Sequence, residues 1–176
     1  MKTFEEKKFN IPKLKGISDK TVEEHLKLYA GYVKNANEIL SSGQFERRFP
    51  FEFNGMRNHE LYFSHFEGGS TPLTTGGPLL QAGFDLEKFK ALALTRGVGW
   101  AMLVWDPNSK RLLNNWVDEQ HLGQLSACVP ILALDMWEHS FVADYQPSGK
   151  KQYVEDFFGN LNWRQIEENF ANAARA

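Results

Sequence analysis

The stretch Val129-Pro130-Ile131-Leu132-Ala133-Leu134-Asp135-Met136-Trp137-Glu138-His139 decides how this chain is read. Its first part is apolar without interruption, which reads as a strand buried in a sheet. The run ends on Asp135, and a carboxylate at that depth is costly unless a cation or hydrogen bonds compensate it. His139 follows four positions later. Two readings fit: an Asp and a His converging from a strand end on a metal ion, or an Asp135 side chain capping a short helix.

Upstream, residues 1–18 are polar and predicted to be extended. Ser18 or Asp19 opens a predicted helix over 20–41, in which Val22, His25, Leu26, Tyr29, Tyr32, Val33, Ala36 and Ile39 recur at helical spacing and Gly43 supplies a stop. His25 therefore lies on the apolar stripe. Residues 45–54, rich in aromatics and arginine, read as a linker. A second helix follows over 55–66, with Met56, His59, Phe63 and Phe66 at intervals of three and four, which puts His59 on its buried face. Two amphipathic helices with a short connection predict an antiparallel hairpin. The Gly-, Pro- and Thr-rich segment 68–77 is the clearest linker. A mixed α/β unit follows: a helix over 85–95 capped by Asp85, strands near 99–105, 112–118 and 129–134, and helices over 150–158 and 163–174. Asp106-Pro107-Asn108 marks a hairpin turn between the first two strands. The expected division is 1–76 and 77–176.

The 176 residues fit one domain or two small ones sharing a core, and 42% hydrophobic with 14% aromatic residues fills a sizeable interior. A net charge of −2 argues against bulk binding to nucleic acid or to an anionic membrane. Cys128 is the one cysteine, so no internal disulfide forms, and a buried thiol in a reducing compartment is expected. The first residues carry Lys2, Glu5, Glu6, Lys7 and Lys8 with no apolar core of a secretory signal, and no run reaches transmembrane length. The expectation is a soluble cytoplasmic protein.

One inward-facing histidine is most often a satisfied core residue. Four groups together are a different case: His25 and His59 from facing helices, with Asp135 and His139 from a strand end, make a set of three nitrogens and one oxygen. That set suits iron, manganese or zinc. His65 and His121 share no apolar stripe and are weaker candidates.

With these residues in view the chain resembles the iron/manganese superoxide dismutase family. The resemblance is carried by Glu24-His25 through Tyr32-Val33-Lys34-Asn35-Ala36-Asn37, by Phe53-Asn54-Gly55 with Asn58-His59, and by Gly97-Val98-Gly99-Trp100. Asp135-Met136-Trp137-Glu138-His139, Asp144-Tyr145 and Asn162-Trp163 complete it. It implies an α+β fold, an N-terminal antiparallel helical hairpin followed by an α/β domain with a three-stranded antiparallel sheet. It implies that His25, His59, Asp135 and His139 hold one manganese or iron ion per subunit, which cycles between +3 and +2 to convert superoxide to dioxygen and hydrogen peroxide. By the same resemblance Tyr32 is a gate residue and Gln120, with His121 as its competitor, supplies an amide to metal-bound solvent. Lys150 and Tyr153 stand nearest the substrate funnel, Lys150 where members usually carry an arginine. Gly55, four residues before His59 where iron-type members carry glutamine, places manganese ahead of iron.

The resemblance further implies a homodimer through Glu138 and His139. Tyr29 stands where many members have a histidine that pairs across that interface, and Phe141 and Val142 replace its tyrosine partners. The alternative function is a catalytically impaired metal-binding paralogue with a binding or structural role. A non-haem iron oxygenase with two histidines and one carboxylate is a third reading, but four protein ligands leave it little room for a cosubstrate. A metal-free helical scaffold leaves Asp135 without a partner.

Overall fold

The computed structural model describes residues 2–175; Met1 and Ala176, the outer ends of the two expected regions, lie outside the described residues. Seven helices and three strands follow in the order α1 (Asp19–Ser42), α2 (Arg48–Ser64), α3 (Pro78–Gln81), α4 (Leu86–Ala93), β1 (Gly99–Asp106), β2 (Arg111–Asp118), β3 (Val129–Asp135), α5 (Val142–Tyr145), α6 (Lys150–Asn160) and α7 (Trp163–Arg175). The expected fold class holds: a helical hairpin, then an antiparallel three-stranded sheet flanked by helices. Among the described residues, no helix is long and apolar enough to cross a membrane.

Helix α1 begins where the Ser18 hydroxyl accepts from the Thr21 N–H and ends at Gly43, whose φ of 69° is the left-handed conformation that closes a helix. Its buried face is Thr21, His25, Tyr29, Val33 and Ala36. Helix α2 starts seven residues before the expected position. The expected linker over 45–54 is mostly helix: Pro50 falls in the first turn of α2, where its missing N–H costs no helical hydrogen bond. The correction places Phe51 and Glu52 on the helix that carries His59.

The sheet order is β2-β1-β3. The β1–β2 hairpin turns at Asp106, whose carboxylate accepts from the Asn108 N–H and the Ser109 hydroxyl. At the other end Gly99 has no room for a side chain, because a Cβ would lie 2.1 Å from the Val117 carbonyl oxygen. β3 is an edge strand, and Pro130 sits there with a register shift opposite Leu103 and Val104, a position that tolerates proline. Met136 N–H donates to Gly99 O, so the even-numbered residues of β3 face β1 and the odd ones turn their backbone outward. Side chains meet that outer edge in register. Asn169 of α7 donates to Ile131 O, His65 accepts from Ala133 N–H, and Tyr153 of α6 donates to Asp135 O.

One apolar core spans both halves, from Tyr29, Val33 and Phe63 in the hairpin through Trp100 and Leu132 in the sheet to Phe157, Ile166 and Phe170 in the last helices. Residues 2–18 form no regular structure and lie across the hairpin. Their backbone is held by side chains: Phe4 exchanges two hydrogen bonds with Asn37, Lys7 N–H donates to the Tyr29 hydroxyl, and Lys15 exchanges two with Asn160. Cys128 departs from expectation, being half-buried rather than buried, because it lies in a loop at a cleft of about 180 Å³ beside Asn58 and Gln124.

His65 is fully buried, and its Nε2 accepts from Ala133 N–H at 3.1 Å, so its proton sits on Nδ1, which has no partner. Burial pushes its pKa down to about 3 from an ordinary value of 6.5. The unfolded chain takes up this proton near pH 6.5 and the folded one only near 3, so His65 makes stability fall as pH drops through that window, by about 1.4 kcal/mol per unit. His65→Gln is therefore expected to flatten the pH dependence of denaturant unfolding between pH 6.5 and 4 by up to one proton; an unchanged slope would show that His65 does not titrate as described.

Candidate metal centre

Four elements deliver four side chains to one point. His25 comes from the second turn of α1, His59 from the middle of α2, Asp135 from the end of β3, and His139 from a short 3-10 turn over 138–140. One ligand atom from each lies within 4.8 Å of all the others. Asp135 Oδ2 is the hub, 3.1 Å from His25 Nε2, 3.1 Å from His139 Nε2 and 3.6 Å from His59 Nε2. Its other oxygen, Oδ1, accepts from the Trp137 N–H at 2.8 Å. One oxygen thus ties the local chain and the other faces the histidines; the 3-10 turn over 138–140 begins at Trp137 with no side-chain cap, so the capping reading of Asp135 does not hold.

The protonation pattern shows what this cluster is built to hold. His59 Nδ1 lies 2.6 Å from the Gly55 carbonyl, which only accepts, so Nδ1 carries the proton and Nε2 presents a lone pair. That Nε2 is buried and has no hydrogen-bond partner, and it faces a carboxylate oxygen. Two electron-rich atoms so placed repel unless a cation sits between them. Burial, and then the charge of His25, push the His59 pKa down to about 3, and burial lowers His25 as well. For Asp135 burial works against ionisation, but the attraction of His139 and His25 outweighs it and holds the carboxyl below its usual range. Burial likewise opposes a charge on His139, and Asp135 overrides it and raises the pKa. A metal ion at this point would find three imidazole nitrogens and one carboxylate, the donor set of manganese, iron or zinc.

Gln120 is fully buried beside this cluster. The Trp100 indole N–H, which can only donate, reaches the Gln120 side chain at 2.9 Å, so that atom is Oε1 and the amide nitrogen faces Tyr32, donating to its hydroxyl at 3.0 Å. His121 turns the other way, with its ring 6.0 Å from Phe51. The Tyr32 ring lies 5.0 Å from that of His59 and covers Gly55, where a Cβ would stand 2.5 Å from the Tyr32 ring. Glycine in mid-helix is thus the space in which the Tyr32 phenol packs. Trp100, Tyr62 and Phe63 complete the wall around the histidine rings.

Other sequence candidates take different places. Tyr153 is wholly buried; its hydroxyl donates to Asp135 O at 2.9 Å and lies 3.2 Å from the Tyr62 hydroxyl, so it supports the backbone of a ligand and lines no funnel. Lys150 is not brought to the cluster. Its ammonium donates to Thr95 O at 2.7 Å and lies 5.8 Å from the ring centre of Trp116. Trp116 pairs with Ala101, and alternation along β1 puts that pair on the sheet face opposite Trp100. Tyr29 is fully buried under residues 2–18, accepting from Lys7 N–H and donating to Glu60 at 3.3 Å. Phe141 is buried and stacked on Tyr153, with ring centres 5.3 Å apart. Asn58 was quoted beside His59 in the resemblance but given no role; it donates to Gln120 O.

A helical hairpin and a three-stranded sheet closing on three histidines and an aspartate define a mononuclear metal-binding protein. Residues 83–169 match the family of iron/manganese superoxide dismutases, C-terminal domain. The chain is 31% identical to a superoxide dismutase [Fe] of Cupriavidus metallidurans over 93% of each chain. It is 30% identical to a superoxide dismutase [Mn/Fe] of Aeropyrum pernix over 85% of this chain and 80% of the relative. With a superoxide dismutase [Mn] 2 of Halobacterium salinarum it shares 36% identity over 64% of this chain and 58% of the relative. The chain belongs to the iron/manganese superoxide dismutase family, a family of oxidoreductases.

Alanine in place of glycine inside a helix ordinarily gains about 1 kcal/mol. At Gly55 the sign is expected to reverse: Gly55→Ala displaces the Tyr32 ring and costs about 1–3 kcal/mol, as overpacking does, while the four ligands keep their metal. Denaturant unfolding with metal analysis checks both, and a more stable Gly55→Ala would show that the phenol moves aside freely.

Proposed function

We propose that this chain dismutes superoxide at a single manganese or iron ion held by His25, His59, Asp135 and His139. The observation that carries the reading is the buried, unpartnered Nε2 of His59 facing Asp135 Oδ2 across 3.6 Å. Bound there, the metal supplies one-electron chemistry, oxidising one superoxide to dioxygen and reducing another, with two protons, to hydrogen peroxide. Asp135 contributes the negative charge that keeps a highly charged cation in a low-dielectric site, and the three imidazoles add neutral donors. Tyr153 and Ser140 hold the Asp135 carbonyl, which fixes the strand end from which the carboxylate projects.

The chain also arranges protons. Gln120 Nε2 uses one N–H on the Tyr32 oxygen, and its second N–H remains for a group at the centre. Because the Tyr32 oxygen accepts from Gln120, the phenol keeps its own O–H to donate to an incoming anion. Burial, and then the charge of Asp135, push the Tyr32 pKa up, so this proton stays in place through neutral pH. Manganese is placed ahead of iron, on the support of Gly55 four residues before His59 and an amide arriving from the sheet domain.

A homodimer through Glu138 and His139 belongs to the same proposal. Glu138 is exposed beside His139 and makes no ion pair among the described residues. Glu138→Ala is expected to shift sedimentation towards monomer at low micromolar concentration; an unchanged dimer would exclude this bridge.

Stopped-flow decay of superoxide on metal-quantified protein, loaded separately with manganese and with iron, tests the function. Rapid catalytic decay, faster with manganese, is expected, and tightly bound metal without turnover would overturn the reading. Tyr32→Phe is expected to retain the metal and to slow turnover by about three- to tenfold, the worth of one hydrogen bond.

A further inference from the structure

Gln120 sits in a turn closed at its two ends by backbone hydrogen bonds and held between them by side chains. Asp118 and Leu122 exchange two backbone hydrogen bonds, at 2.8 and 3.1 Å, and Glu119 between them takes the left-handed conformation with a φ of 53°, which disfavours a non-glycine residue. Side chains from elsewhere secure the turn. The Trp137 indole donates to Glu119 O at 3.0 Å, and Asn58 Nδ2 donates to Gln120 O at 2.9 Å. The other atom of the same amide, Asn58 Oδ1, accepts from Gln124 Nε2 at 3.3 Å. One buried side chain therefore brackets both ends of segment 120–124, and it does so from the helical position next to the ligand His59.

We propose that Asn58 is a positioning residue that locks the Gln120 side chain in register with His59 and so sets the balance between the two oxidation states of the bound ion. The inference rests on the function proposed above and deepens it. His59 is anchored to its own helix by the Gly55 carbonyl, so Asn58 and His59 move as one body. Gln120 is fixed to that body at its backbone by Asn58 and at its amide oxygen by Trp100. Between those two fixed points the amide N–H groups have one direction in which to aim. A donor at fixed distance from a metal's surroundings weights its oxidation states unequally, and that weighting changes with the donor's position. Removing Asn58 also leaves the buried Gln120 carbonyl without its partner, so the turn has reason to move.

The test uses the full chain in two metal forms. In the manganese form the midpoint potential is read by mediated titration; in the diamagnetic zinc form, hydrogen exchange of the Gln120 side-chain amide is read by nitrogen-15 NMR. Asn58→Ala is expected to keep one metal per chain, to shift the redox equilibrium at least threefold, and to speed Gln120 amide exchange tenfold or more. Asn58→Asp, which keeps the shape but cannot donate, is expected to behave like Asn58→Ala in exchange. Gln124→Ala is expected to move both readouts the same way by less. A destabilised Asn58→Ala with wild-type potential and wild-type exchange would overturn the proposal and leave Asn58 a packing residue. If Asn58→Ala does not fold, wild-type values of both readouts in Gln124→Ala overturn it instead. Failure of the wild-type protein to consume superoxide would sink the proposed function alone, because exchange in the zinc form reports the lock without turnover.

Discussion

A carboxylate buried to zero exposure at the end of an edge strand, with three imidazoles converging on one of its oxygens, is the constraint around which this chain is arranged. Burying an ion costs several kcal/mol unless geometry and hydrogen bonds compensate. Each neighbouring element supplies part of that compensation: α1 and α2 bring His25 and His59, the turn after β3 brings His139 and the Trp137 N–H, and α6 brings Tyr153 to the backbone of Asp135 itself. Burial of His25, His59 and Asp135 in the apolar core strengthens the electrostatic contacts among them. Stability and chemistry therefore have the same geometric origin. The helices must pack as they do for the nitrogens to meet the oxygen.

The surroundings of the ligands are as ordered as the ligands. Gly55 serves twice, its carbonyl fixing the His59 tautomer and its missing side chain making room for Tyr32. Trp100 settles which way the Gln120 amide faces, since an indole N–H accepts nothing. The free edge of β3 is met by His65, Asn169 and Tyr153 at alternate residues, which leaves no open ladder there for another chain to extend.

Periodicity made α1, the three strands, the Asp85 cap and the two long C-terminal helices legible from sequence, because each obeys a local rule. The cluster of His25, His59, Asp135 and His139 was legible for another reason: a carboxylate closing an apolar strand demands a partner, and few inward-facing histidines were available. What escaped depends on three-dimensional context. The first two turns of α2 escaped because residues 48–54 carry no apolar stripe; the buried residue there is Glu52. Lys150 stood at a plausible distance along the chain but on the wrong face of the sheet, and linear spacing does not encode a face. Gln120 and His121 were competitors until the left-handed Glu119 broke the alternation and turned Gln120 inward. Tyr29 lay on the apolar stripe of α1, but what covers it, residues 2–18, could not be named because it carries no periodic pattern at all.

That covering segment has a consequence for the order of assembly. Its backbone groups are met by Asn37 and Tyr29 of α1, by Glu67 after α2, by Asn160 at the end of α6 and by Asp144 of α5, partners spread over most of the chain. None of these contacts is local, and no ladder of its own rewards the segment for forming early. Closing loops as long as the 145 residues between Lys15 and Asn160 becomes favourable only once both ends already have fixed positions. Residues 2–18 are thus among the last segments to find their place, and their docking records that the helical hairpin and the sheet have already met.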